Sequence, residues 1–206
     1  MTTAIEPVVD VGFRLRGDVI PVDHGYSLFA AISRVVPELH KRPDWGVHPI
    51  FGEHHERGVL KLQPSSMVKI RLPANDIGRL LPLAGLVLQI KNSQVTLAPP
   101  QVFPLQPTAY LKARFVTIKG FFDEPEEFGA ALKRQLGQIE GLEQKEQKIE
   151  TAVGARRVMR VGNHTIVGFS VALGGLDAGA SIAVQSLGVG GRRHMGAGIF
   201  GPQRRR

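Results

Sequence analysis

The 206-residue sequence predicts an α+β protein of two successive halves with the same element order, strand, helix, strand, strand, helix, strand. Three observations carry this. Apolar residues alternate with period two in several short runs, recur at helical spacing in three or four others, and the two series are separated by a stretch holding four prolines in ten residues, Ala98–Pro107. Each half is large enough to bury its own core, and the boundary is placed at residues 105/106, giving units 1–105 and 106–206.

In the first half, Val8 to Leu15 alternates as a strand, and Leu28, Phe29, Ile32 and Val36 form one stripe of a helix over Tyr26–Val36. Pro43 and Pro49 interrupt the following segment, leaving Val47–Phe51, Val59–Gln63 and Met67–Leu72 as short strands. The run from Pro73 to Leu81 carries capping residues ahead of an apolar face and is expected to be helical. Leu86–Ile90 and Val95–Leu97 are expected to pair as a hairpin across Asn92-Ser93. The proline-rich Ala98–Pro107 reads as an extended connector, because proline donates no ladder hydrogen bond.

In the second half, Tyr110–Lys119 alternates as a strand, and Glu124–Leu136 places Phe128, Leu132 and Leu136 on one helical side. Glu140–Glu150 is charged and expected to be an exposed loop or ragged helix. Arg156–Val161 and His164–Leu173 should pair across the Gly162-Asn163 turn. A small-residue helix is expected over Asp177–Leu187, ending at Gly188, with a last strand over Ala197–Phe200. Two such halves are the pattern of tandem ferredoxin-like folds, in which helices cover one sheet face and leave the other for a ligand.

Composition narrows the class of partner. The formal charge is +8, and it is uneven: residues 1–105 hold 11 Lys and Arg against 9 Asp and Glu, residues 106–206 hold 15 against 9. An anionic partner is therefore expected at the second half; Arg204, Arg205 and Arg206 are either a solubilising end or part of that contact. Cysteine is absent, which leaves neither disulfides nor thiolate metal sites and suits a reducing compartment. There is no apolar run of about 20 residues and no basic start followed by an apolar block, so the expected location is the cytoplasm, with no membrane partner.

The segment Ser186–Pro202 holds six of the 24 glycines beside Arg192, Arg193 and His194. Glycine lets the backbone turn freely and lets a ligand approach bare N–H groups, while guanidinium supplies charge and forked donors, so the segment suits phosphate. Arg192 and Arg193 are assigned to a phosphate-bearing polyanion, and His194 to a base, a phosphate or the turn itself. Gly188, Gly190, Gly191 and Gly196, with Gly198, shape the loop. Lys112, Arg114 and Lys119 on one predicted strand are secondary candidates for the backbone of the nucleic acid. A Walker motif is excluded because no Lys-Ser or Lys-Thr follows the glycines.

The ending Gly188–Pro202 resembles the glycine-rich loop of the repeat-associated mysterious protein (RAMP) superfamily. Ile20–Leu28, Gly46–Gly52 and Ala109–Lys119, in that order, make the chain similar to its CRISPR-associated endoribonucleases of the Cas-six type, in the Myxococcus branch. The resemblance implies RRM-like domains and a metal-independent, cofactor-free cut within each repeat of a precursor RNA. The 2′-hydroxyl would attack, leaving a 2′,3′-cyclic phosphate and a 5′-hydroxyl; the repeat stem-loop is the implied partner, with subunits of a CRISPR effector complex as possible others. A non-catalytic guide-RNA-binding subunit of an interference complex is the alternative, and a general RNA chaperone a third reading.

The implied chemistry needs groups that exchange protons near neutral pH, a task for histidine. The resemblance puts His24 first, in the loop between the first strand and first helix, with Tyr26 orienting the reacting groups. The residues alone equally allow His24 to pack locally at the helix start, with Tyr26 in the core. His48, between Gly46 and Gly52, is a further catalytic candidate, or a structural histidine bonded to backbone. His40 is expected to sit at the helix C-terminus, where a cation suits the dipole, with catalysis as its lesser role. His54 and His55 are adjacent on an extended chain, point apart and have no matching ligand cluster, so no metal site is expected.

Overall fold

The computed structural model describes residues 6–55, 58–121, 123–143 and 148–202. The chain divides into two units, Met1–Pro104 and Leu105–Arg206.

The first unit runs β1 (Val8–Arg16), β2 (Val19–Pro21), α1 (Gly25–Ser33), β3 (Gly46–Val47), β4 (Glu53–His54), β5 (Val59–Lys61), β6 (Met67–Pro73), β7 (Val87–Ile90) and β8 (Ser93–Pro104). Its main sheet has the order β3-β6-β1-β8-β7 and is antiparallel throughout. Without the added edge strand β7 this is the ferredoxin-like arrangement, second, third, first and fourth strand. Val9, Val11 and Phe13 of β1 lie on one buried face, with Leu28 and Ile32 of α1 also in the core. A small sheet, β2-β5-β4, was not foreseen from the sequence.

Three first-unit expectations are corrected. The first helix stops at Ser33 and the chain tightens into a 3-10 turn over Pro37–Lys41; a proline disfavours helical geometry in the residue before it, here Val36. The segment after β6 is also a 3-10 helix, Ala74–Leu83, with Pro82 inside; Pro82 removes one helix donor and Gly78 weakens the interior. The proline-rich stretch is no connector as far as Pro104: it is the body of β8, with Pro100 opposite Phe13 and Pro104 opposite Val9. β7 covers β8 only from Ser93 to Thr96. Leu97 still exchanges backbone hydrogen bonds with Gly85 and Leu86 on that side; past it no strand among the described residues pairs with that edge, where prolines cost no ladder bond.

The second unit runs β9 (Leu111–Val116), α2 (Pro125–Gly137), β10 (Glu150–Val161), β11 (His164–Gly174), α3 (Ala178–Leu187) and β12 (Gly201–Pro202). Its sheet order, β10-β11-β9-β12, is again ferredoxin-like. Phe128 and Leu132 of α2 and Val184 of α3 pack on Leu111, Ala113, Phe169 and Val171 of the strands. α3 starts where Asp177 Oδ1 accepts the Ala180 N–H at 2.7 Å and stops at Gly188, φ +67°. The β10–β11 turn is Gly162-Asn163, with Val161 opposite His164. The last strand is Gly201–Pro202, not Ala197–Phe200, because Gly198 at φ +66° still belongs to the preceding loop. Arg204, Arg205 and Arg206 lie outside the described residues, as does part of Glu140–Glu150.

Two bulges re-aim the sheet. Between Ala113 and Val116 strand β9 spends one residue more than β11, and β10 does the same between Val153 and Arg156. The extra residue flips the alternation. Val116 and Ile118 stay with the helix-side core, whereas Phe115 turns out to meet Met159 and Ala197 in a second small apolar cluster. Met195 and Ile166 pack against that cluster, so the bulges create the floor on which the glycine-rich loop rests.

Candidate functional site

The loop from Gly188 to Gly198 is pinned to the outgoing end of β9. Gly198 donates to the Phe115 carbonyl at 2.8 Å, Gly191 to Thr117 at 3.0 Å, and Val189 to Gly198 across the loop neck at 3.2 Å. Gly190 has φ +82° and donates to Gln135 Oε1 of α2 at 2.9 Å; a Cβ there would lie 2.4 Å from the Thr117 carbonyl oxygen. No other residue fits such a site. Gly191 differs: a Cβ would meet nothing within 4 Å, so its backbone faces open space. The loop glycines thus shape the turn, and Gly191 also leaves main chain accessible.

The adjacent arginines have separate positions. Arg193 folds back on α3, donating from Nη2 to the Ser186 carbonyl at 2.8 Å and from Nη1 to the Leu187 carbonyl. It satisfies carbonyls that a helix end leaves open and opposes the negative end of the dipole. Two of its guanidinium nitrogens are thus engaged with the end of α3. Arg193→Ala should lower stability by about 1 kcal/mol, read from urea unfolding, and should weaken RNA binding less than Arg192→Ala. Arg192 is exposed and holds the left-handed conformation, φ +65° and ψ +31°. His194 is half-buried within the same short 3-10 turn.

Lys112 is exposed on β9 and Arg114 half-buried at the bulge. Lys119 lies beyond the strand, which ends at Val116, so the three do not alternate along one strand as expected; Lys119 instead lines a cleft with Arg192.

In the first unit, His24 occupies the N-cap of α1 and is 2% exposed. Its Nε2 accepts the Ile50 N–H at 2.9 Å, and its Nδ1 lies 2.9 Å from the Pro21 carbonyl. Accepting at Nε2 makes Nδ1 the protonated nitrogen, which donates to Pro21. In this arrangement neither ring nitrogen is open to a substrate. The imidazole ties the β2–α1 loop to the segment after β3, an arrangement that gives His24 a structural role. The sequence hides this because Ile50 is 26 residues away.

His48 is also committed. Its Nε2 is 3.0 Å from Asp10 Oδ1, and Arg71 holds the same carboxylate from Nε at 2.7 Å and from Nη2 at 3.0 Å. Asp10 and Arg71 face each other across β1 and β6. Burial pushes His48 below the ordinary imidazole value, outweighing the pull of Asp10. This places His48 Nε2 in a cluster with Asp10 and Arg71. A group whose folded pKa is depressed adds stability that is full above the unfolded value of about 6.5 and declines as pH falls below it. Wild type should accordingly lose more unfolding free energy than His48→Gln between pH 7.5 and 5.5.

Tyr26 is 41% exposed in the first turn of α1, not in the core. Phe29, one turn on, shares its side of the helix. The His40 ring meets Phe29 edge-on, centroids 4.8 Å apart, and His40 is exposed. Buried Phe29 therefore connects the side of α1 that bears exposed Tyr26 with the exposed His40 imidazole. The sequence signal was available: Pro37 forces the turn that brings His40 back on α1.

Comparison with known proteins adds to this geometry. The family model described as Cas6 Crispr matches residues 9–205. A CRISPR-associated endonuclease Cas6 of Myxococcus xanthus (strain DK1622) is 40% identical over 194 residues, covering 94% of this chain and 81% of that protein. Among solved structures, a CRISPR associated protein Cas6 superposes with TM-score 0.66 at 15% identity, covering 96% of this chain and all of the other. A RAMP protein binding different RNA substrates gives 0.68 at 12% identity, covering 94% and 98%. At those identities the structural likeness speaks for the shared fold.

Proposed function

The chain belongs to the Cas6 family, and from that premise we propose that it cuts CRISPR repeat precursor RNA within each repeat, without a metal ion. The supporting observation is 40% identity to a CRISPR-associated endonuclease over 94% of the chain.

The reaction is a transesterification. The ribose 2′-oxygen forms a bond to phosphorus, the bond from phosphorus to the 5′-oxygen breaks, the 2′-hydroxyl proton leaves to a base and the 5′-oxygen takes up a proton. The products are a 2′,3′-cyclic phosphate and a 5′-hydroxyl. One imidazole can serve either proton transfer. His40 is assigned that role because it is the exposed imidazole beside α1, whereas His24 has both ring nitrogens bonded to backbone and His48 is held by Asp10 through Nε2. Tyr26 is assigned to orient the reacting groups. Arg192 and Lys112, both exposed, supply charge for the RNA backbone, and the positive second half steers the strand.

The test is incubation with a repeat stem-loop RNA in excess chelator. Cleavage ending in a cyclic phosphate is expected; binding without cleavage, with or without magnesium, would instead make the protein a guide-RNA-binding subunit. Equal affinity for unrelated RNAs would mark a general chaperone.

A further inference from the structure

Beside the glycine loop the second unit holds an open cleft of about 620 Å³, walled by Thr117, Lys119, Gln135, Thr165, Ile166 and Arg192. Resting on the RNA reading above, we infer that this cleft takes one unpaired nucleotide of the substrate, its base against Ile166 and its phosphate against Arg192 and Lys119.

Four features point to such an occupant. Its size falls within the range of sites for one small molecule, about 300 to 1,000 Å³, and suits a single nucleotide better than a duplex. Its lining pairs apolar Ile166 and Val167 with polar Thr117, Thr165 and Gln135, the mixture that a flat ring with hydrogen-bonding edges requires. Gln135 already accepts from Gly190 through Oε1, which fixes the amide and leaves its NH₂ as the group offered to a base edge. The charge is one-signed: Lys119 and Arg192 line the cleft and, among the described residues, no carboxylate does.

Arg192 is the most specific of these clues. The surrounding loop positions that need positive φ are glycines, yet at φ +65° the chain keeps an arginine. A non-glycine residue in this region is strained, and such strain persists where the site uses the side chain. Next to it Gly191 leaves its backbone open, so a strand can pass close to the main chain on its way into the cleft. The inference goes beyond charge attraction, because a base lodged in the cleft lets the second unit read sequence at one unpaired position.

The experiment uses the full chain and a repeat RNA carrying its stem-loop and single-stranded flanks, with each unpaired nucleotide in turn made abasic. For wild type, one abasic position is expected to weaken binding about tenfold, the others less than twofold. Thr165→Trp, from an exposed position at the rim, fills the cleft; it should weaken binding of intact RNA similarly and make the sensitive abasic position cost nothing further. Arg192→Gly provides a second readout that misfolding cannot mimic, since glycine relieves the backbone: affinity should fall while thermal stability is unchanged or raised. A flat abasic scan with wild type still binding and cutting would overturn the cleft assignment alone. Thr165→Trp weakening abasic and intact RNA equally would overturn it as well. Failure of wild type to bind any repeat RNA would overturn both it and the RNA reading.

Discussion

His40→Ala is expected to slow single-turnover cleavage of repeat RNA by at least about 100-fold, the usual contribution of a positioned general acid or base, with affinity within twofold of wild type. The same substitution at His24 should act differently. It deletes two buried hydrogen bonds to backbone, from the Ile50 N–H and to the Pro21 carbonyl, and leaves those groups unpaired, at a cost of about 1–3 kcal/mol each. His24→Ala should therefore be less stable in urea, and its cleavage rate should fall only as far as the loop into α1 is disturbed. The two outcomes separate by temperature: a structural defect eases on cooling to conditions where the variant is fully folded, whereas the loss of a proton carrier does not. A His40→Ala protein that cuts at the wild-type rate would remove His40 from the mechanism, and a fully folded His24→Ala protein that does not cut would restore His24.

The histidines also mark where the sequence stops being informative. Local rules served the second unit well: Asp177 caps α3, Gly188 ends it, Gly162-Asn163 turns the hairpin and the stripe of Phe128, Leu132 and Leu136 buries α2. Each is decided within a few residues. What failed was decided over distance. The prolines of Ala98–Pro107 read as a linker because the sequence does not show that β7 covers β8 only at its start. The bonding of His24 could not be read locally because its acceptor role depends on Ile50. Arg192 and Arg193 looked equivalent because only the fold shows which guanidinium reaches back to the end of α3. The bulge in β9 is similarly invisible in an alternating run, yet it turns Phe115 outward to seat the glycine loop.

The largest stability effect should come from Arg71, 1% exposed and holding Asp10 across β1 and β6. Burial alone would raise the Asp10 pKa, but His48 and Arg71 outweigh it and hold the carboxyl well below its ordinary value of 3.8. A depressed carboxylate adds stability that is fully present above the unfolded pKa and is lost as pH falls toward the folded one. Arg71→Met removes the guanidinium that holds Asp10 through two hydrogen bonds and leaves the carboxylate with His48, so it should destabilise the first unit by about 3–5 kcal/mol at pH 7. Without the guanidinium the carboxyl takes up a proton more readily, so the gap to wild type should narrow between pH 7 and pH 4.5. Asp10→Asn combined with Arg71→Met removes the charge altogether and should recover most of the loss. If the gap were the same at both pH values and the double variant no better than Arg71→Met, the arginine would be contributing packing rather than charge. The cluster would then have no electrostatic role in the sheet that carries α1.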